Sequence, residues 1–198
     1  SDKFLGLTVP ESRVIAKEFL DIDFDEIKEL LKDKIHEKRL IGLLILVERV
    51  KKSNEKGRGD IFKFYLEHRR AVNNWDLVDL TADKIVGGYL LDKDKGLLYD
   101  YAKSNNLWEK RIAIVSTFAF IKNNSFDDTL KISELLLDDK HDLIHKAVGW
   151  MLREIGKRDV KVLERFLKKH YKNMPRTMLR YAIERFDEEK RKRYLRGE

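Results

Sequence analysis

The 198-residue chain contains no cysteine. A disulfide framework, a thiol nucleophile and a cysteine-held zinc are therefore excluded. Proline is nearly missing as well: Pro10 and Pro175 are the only two, and a chain this poor in helix breakers can run through helix after helix. No apolar run approaches the ~20 residues of a membrane span. The opening Ser1-Asp2-Lys3-Phe4-Leu5-Gly6 lacks the charged and apolar regions of a secretory signal. A chain that starts on Ser1 is expected to be processed or trimmed there. What is abundant is charge, at 39% of residues, together with Leu, Ile, Lys and Glu. That balance predicts an all-α protein, and the length suits one domain with an ample core, 1–198.

The charge is unevenly placed. Lys and Arg number 42 against 35 Asp and Glu, a formal net charge of +7. From Lys140 to the end there are 18 basic and 9 acidic residues, a balance of +9 that leaves −2 for the rest. A basic C-terminal part suits a nucleic acid or another anionic surface.

Helical spacing begins at Pro10-Glu11-Ser12-Arg13 and continues through Val14, Ile15, Phe19 and Leu20. Further helices are predicted at about Asp25–Leu31 and Ile35–Lys52 and, after a Gly57- and Gly59-bearing loop over Lys51–Asp60, at 60–70, 75–91, 95–103, 107–122, 127–137, 141–156, 159–171 and 175–186. The chain also echoes itself. His36-Glu37-Lys38-Arg39-Leu40-Ile41 resembles Trp108-Glu109-Lys110-Arg111-Ile112-Ala113, and Ile27-Lys28-Glu29-Leu30-Leu31 resembles Ile132-Ser133-Glu134-Leu135-Leu136. Each echo leads to a long helix with a glycine, Gly42 or Gly149. One helix pair per period of about 36–40 residues predicts a HEAT-like α-solenoid, a curved superhelix stabilised by stacking.

On that register Arg39, Trp75, Arg111 and Trp150 fall at equivalent points of successive repeats, with Arg180 as a further member. Such a row would suit a polyanion with apolar sugar faces; the same tryptophans could equally be core residues. Within Trp75-Asp76-Leu77-Val78-Asp79, Asp79 lies one turn from Trp75 on the same side if the segment is helical. Asn73 or Asn74 is its expected cap. Asp79 could equally be an ordinary exposed helix residue or an ion-pair partner.

Asn74-Trp75-Asp76-Leu77-Val78-Asp79, Leu107-Trp108-Glu109-Lys110-Arg111-Ile112-Ala113 and Ile144-His145-Lys146-Ala147-Val148-Gly149-Trp150-Met151-Leu152-Arg153-Glu154 resemble the AlkD-type alkylpurine DNA glycosylases of the DNA alkylation repair family. Leu5-Gly6-Leu7-Thr8-Val9-Pro10-Glu11 resembles the family's N-terminal signature. Family members carry one or two helices before that signature, so this chain is expected to lack them. The resemblance implies a HEAT-like superhelix with double-stranded DNA in its concave face and hydrolysis of the N-glycosidic bond of cationic N3- or N7-alkylated purines. It implies a catalytic set of Asp79, Trp75, Trp150 and Arg111, without base flipping into a pocket.

The chemistry fits those residue types. An alkylated purine cation is already a good leaving group, so no general acid is needed, and a carboxylate would stabilise the oxocarbenium-like sugar and orient water. The indoles would hold the deoxyribose and Arg111 a phosphate. Arg39, Lys110, Lys146, Arg153, Arg176 and Arg180, with Lys38, Lys157 and Arg158, are candidate DNA-backbone contacts. His141 and His145 are four apart but have no third partner, so no metal is expected, and no cofactor either. The expected protein is a monomeric, cytoplasmic, nucleoid-associated enzyme of a prokaryote. The alternative is a non-catalytic HEAT-repeat module that binds nucleic acid or protein.

Overall fold

The computed structural model describes residues 2–197. The fold is all-α; the extended pairing that accompanies it among the described residues is an isolated bridge between Lys3 and Ile35. The chain forms two compact units that divide at Asp92–Lys93.

The first unit contains α1 (Val9–Glu18), α2 (Phe24–Lys32), α3 (His36–Lys52), α4 (Glu55–Glu67), α5 (Trp75–Asp79) and α6 (Gly88–Leu90), with a 3-10 turn at Arg69–Ala71 and a π-helix at Asp83–Gly87. Thr8 starts α1 as the N-cap of a capping box: it accepts from the Glu11 amide while Glu11 Oε2 accepts from the Thr8 amide at 2.7 Å. Asp23 and Glu26 repeat the device for α2. At the centre lies α3. Its run Leu43-Leu44-Ile45-Leu46-Val47 is buried on every side, so it needs neighbours all round, and α1, α2 and α4 supply them. Each such side chain contributes about 1.5–3 kcal/mol of burial.

The second unit contains α7 (Gly96–Ala102), α8 (Leu107–Ser116), α9 (Phe118–Lys122), α10 (Asp127–Leu135), α11 (Asp142–Gly156), α12 (Val160–His170), α13 (Arg176–Ala182) and α14 (Glu188–Arg196). Here α11 is the central helix. It buries Ile144, Ala147, Val148, Met151, Leu152 and Ile155 against α8, α9, α10, α12 and α13. Gly149 marks where α13 crosses: a Cβ there would lie 2.5 Å from the Met178 carbonyl oxygen and 2.5 Å from Tyr181 Cβ, so no larger residue fits.

Four spans differ from the periodicity. The expected loop over Lys51–Asp60 is helical from Glu55, because Asn54 caps α4 by accepting from the Gly57 amide at 2.9 Å. The single helix expected at 75–91 stops at Asp79 and resumes as a π-helix. The one expected at 107–122 is divided at Thr117. Past residue 186, where no helix was expected, lies α14, whose residues are all exposed or half-buried.

Candidate active site

Asn74 opens α5: its side-chain oxygen accepts from the Trp75 amide at 2.8 Å. Leu77 and Val78 are fully buried and bolt the short helix to the unit. With those two facing inward, Trp75 and Asp79, at i and i+4, share the other side. The Trp75 indole is 53% exposed, far too open for a core residue of its size. Asp79 is half-buried at the helix end.

Directly behind α5 is a buried polar network that the sequence patterns did not show. Asp76 takes a 2.7 Å hydrogen bond from His36 Nε2, and its other oxygen caps Leu77 N. His36 is buried and its Nδ1 lies 3.7 Å from Asp2 Oδ2. Asp2 in turn is paired with Arg39 at 2.7 Å. The N-terminal arm is thereby laid on the start of α3. Lys3 bonds across to Lys34 and His36, and the buried Glu37 carboxylate accepts from the Leu5 and Gly6 amides at 2.8–3.0 Å. Burial would raise the Glu37 pKa, but the Leu5, Glu37 and Gly6 amides outweigh it and hold the group below its ordinary value. Phe4 caps the arrangement, its ring 5.1 Å from that of His36 and its outer face open to solvent. Signals for the network lay in the Asp2, His36, Arg39 and Asp76 identities, whose meeting depends on how the arm folds back.

Arg39 needs correction as a backbone contact. It is 4% exposed, and its guanidinium binds Asp2, the Asp33 carbonyl and Asn73; a cation enclosed and neutralised this way has no reach toward a phosphate. The even spacing of Arg39, Trp75, Arg111 and Trp150 also gives no equivalent placement. They are the fourth residue of α3, the first of α5, the fifth of α8 and the ninth of α11.

In the second unit, Arg111 is 5% exposed and donates from Nη1 to the Leu143 carbonyl, tying α8 to the first turn of α11. Trp150 is half-buried with its ring 5.8 Å from Phe118, and Lys122 Nζ stands 4.8 Å from the other aromatic's centroid. Lys110 pairs with Asp139 at 2.6 Å. Burial pushes the Asp139 pKa up, and the Lys110 ammonium with the His141 amide more than reverses it. Lys146 pairs with Asp142 at 2.7 Å, which raises the lysine pKa, and Arg153 pairs with Glu184. Lys38 pairs with Asp33 and Lys157 with Glu154, both at 2.7 Å, while Arg158 reaches the Glu154 carbonyl. Arg176 and Arg180 lie exposed on α13. His145 Nε2 is engaged by the Asp139 carbonyl and His141 Nδ1 accepts from the Leu143 amide, so both imidazoles serve the α11 N-terminus. Among the described residues no group of three potential metal ligands occurs, and no helix is long and apolar enough to cross a membrane.

The fold defines an all-helical protein of solenoid type, with one outward-facing indole–carboxylate helix. The family model for DNA alkylation repair enzymes matches residues 1–186, and the chain belongs to that family. Its role is therefore in DNA repair. A solved structure described as a predicted DNA alkylation repair enzyme from Enterococcus faecalis shares the fold, with a TM-score of 0.73 over 94% of this chain and 90% of that one, at 16% identity. No curated protein matches the chain.

Proposed function

We propose that the protein is a monofunctional DNA glycosylase that releases cationic N3- or N7-alkylated purines from double-stranded DNA. The observation that carries this reading is α5: a half-buried carboxylate, Asp79, one turn from an open indole, Trp75, on a helix fixed by Leu77 and Val78. In the proposed reaction the C1′–N bond breaks and its electron pair leaves with the purine, cancelling the purine's positive charge. The sugar takes on oxocarbenium character, which the Asp79 carboxylate stabilises electrostatically. Water then forms the new C1′–O bond and gives its proton to Asp79, leaving an abasic site. Trp75 holds the deoxyribose beside Asp79, from outside the helix and without a base pocket; Trp150 is a further candidate for a sugar contact, whereas Arg111, as enclosed as Arg39, ties α8 to α11. In this reading the protein acts as a monomer in the cytoplasm near the nucleoid, without cofactor or metal.

A non-catalytic nucleic-acid- or protein-binding module is the second reading. It is favoured by Arg111, whose buried guanidinium is used to join α8 to α11. Incubation with methylated duplex DNA separates the two: a glycosylase releases 7-methylguanine, and a pure binder releases none. Neutral lesions such as uracil or hypoxanthine stay in place under the proposed mechanism, because their leaving groups would need protonation that no general acid here supplies.

A further inference from the structure

The helix that carries Trp75 and Asp79 is five residues long. So short a helix has little stability of its own, and its neighbours must set its place. Leu77 and Val78 fix its depth. Depth alone leaves rotation about the axis open, and rotation decides where Trp75 and Asp79 point. Asp76 supplies that restraint. It follows Trp75 by about 100° around the helix, and both its oxygens are used. Oδ1 accepts from the Leu77 amide at 2.8 Å, and Oδ2 meets His36 Nε2 at 2.7 Å. The Asp76 side chain is 17% exposed and that of His36 6%, so water competes little for the bond.

His36 also faces the N-terminal arm. Its backbone amide donates to the Lys3 carbonyl at 2.8 Å. Its buried Nδ1 makes no hydrogen bond and lies 3.7 Å from Asp2 Oδ2. The imidazole therefore stands between a carboxylate of the arm and a carboxylate of α5. The other charged groups nearby are on α3 or in the turn before it. Glu37 accepts from the Leu5 and Gly6 amides, and Lys38 is paired with Asp33. Arg39 binds Asp2 and the Asp33 carbonyl and reaches Asn73, just before α5, at 3.4 Å. The Phe4 ring beside the imidazole brings no charge. An imidazolium can donate toward both carboxylates at once. A neutral ring has one proton for the two, so one carboxylate then faces a bare nitrogen lone pair.

We propose that His36 is a positioning residue: held between Asp2 and Asp76, it couples the seating of the N-terminal arm to the orientation of α5, and so to the aim of Trp75 and Asp79. The inference rests on the glycosylase reading for what α5 does, but the coupling itself can be read without catalysis. The test uses the full chain and two readouts. One is single-turnover release of 7-methylguanine at saturating methylated duplex. The other is amide hydrogen exchange over residues 77–81, whose ladder includes the bonds of Val78 to Asn74 and Leu80 to Asp76. His36→Ala should slow release by about 10-fold or more with duplex affinity little changed, and exchange over 77–81 should accelerate. The amide of His36→Gln can reach Asp76 as Nε2 does but does not titrate. This variant should recover release to within about 3-fold of wild type at neutral pH, and it keeps the test open if the alanine variant fails to fold. From about pH 5 to about pH 8 the ratio of wild-type to His36→Gln rates should fall by about 3-fold or more, as the ring loses its second proton. Asp2→Asn should accelerate exchange over 77–81 in the wild type and lose at least half of that effect in the His36→Gln background. A rate ratio constant with pH, or an Asp2→Asn effect of full size in both backgrounds, would overturn the proposal. Exchange over 77–81 unchanged in His36→Ala would overturn it as well. Absence of base release in the wild type would sink the glycosylase reading while leaving the exchange results to decide the coupling.

Discussion

The helix pairs α2–α3 and α10–α11 begin from nearly the same residues and are packed differently. Ile27 and Leu31 in the first pair correspond to Ile132 and Leu136 in the second, and all four are buried. Each pair then reaches a glycine in its long helix. Gly42 admits the helix before it: a Cβ there would stand 3.3 Å from Leu30 Cβ and 3.4 Å from a Leu31 methyl. Gly149 admits α13 instead, at 2.5 Å from backbone. A similar divergence holds for the tetrads at the starts of α3 and α8. Lys38 and Lys110 each bind an aspartate from a loop, and Arg39 and Arg111 are both buried. Yet Arg39 is neutralised by Asp2 of the N-terminal arm, whereas Arg111 donates to the Leu143 carbonyl of α11. A repeated word in the sequence thus reports how a helix begins, and the neighbours decide what its side chains do.

The glycines give the sharpest contrast. Gly149→Ala should cost about 3 kcal/mol or more, because the α13 backbone must shift to admit the methyl group. Gly42→Ala should change stability by no more than about 1 kcal/mol, since side chains can give way and alanine favours the helix. Denaturant midpoints for the two variants measure this, and equal midpoints would break the comparison.

The tetrads come next. Arg39→Met should destabilise by about 2–3 kcal/mol by leaving the arm's Asp2 without its buried partner, while Lys38→Met, at a more open pair, should cost under about 0.5 kcal/mol. Limited proteolysis would follow the arm: its cleavage should accelerate in the first variant and not in the second.

A smaller effect is expected at Glu37, with a pH signature. The folded carboxylate titrates below its ordinary value. Its contribution is therefore present above the unfolded carboxylate range, near about pH 4.3, and is lost as pH falls through the lowered folded value. Glu37→Gln should cost about 1–2 kcal/mol at neutral pH, and the gap to wild type should narrow on acidification. A gap that widens below pH 4 would contradict this assignment.

The all-helical fold was legible because proline is scarce and apolar spacing persists. Local helix interruptions were not. Both long predicted helices that break do so at a threonine whose hydroxyl turns back on the chain: Thr81 Oγ1 bonds the Leu77 carbonyl and Thr117 Oγ1 the Ile114 carbonyl at 2.6 Å. Threonine competes with the helix ladder in this way without disturbing the hydrophobic pattern. α4 was under-read because Gly57 and Gly59 look like a loop, though a Cβ at Gly59 would stand 3.3 Å from the Tyr89 hydroxyl. α14 has no apolar stripe to announce it. At the candidate site, the Asn74 cap and the shared side of Trp75 and Asp79 follow from local spacing, while their proposed role comes from the family resemblance. Arg39 did not, because charge by itself says nothing about the fold-back of an arm that brings Asp2 onto it.

The most direct measurement is release of 7-methylguanine from methylated duplex DNA by the wild type and by Asp79→Asn. A glycosylase whose α5 carboxylate stabilises the sugar cation should release the base, and the variant should be slower by about 10²-fold or more with DNA binding retained. Release by the variant at the wild-type rate, or none from the wild type, would contradict it.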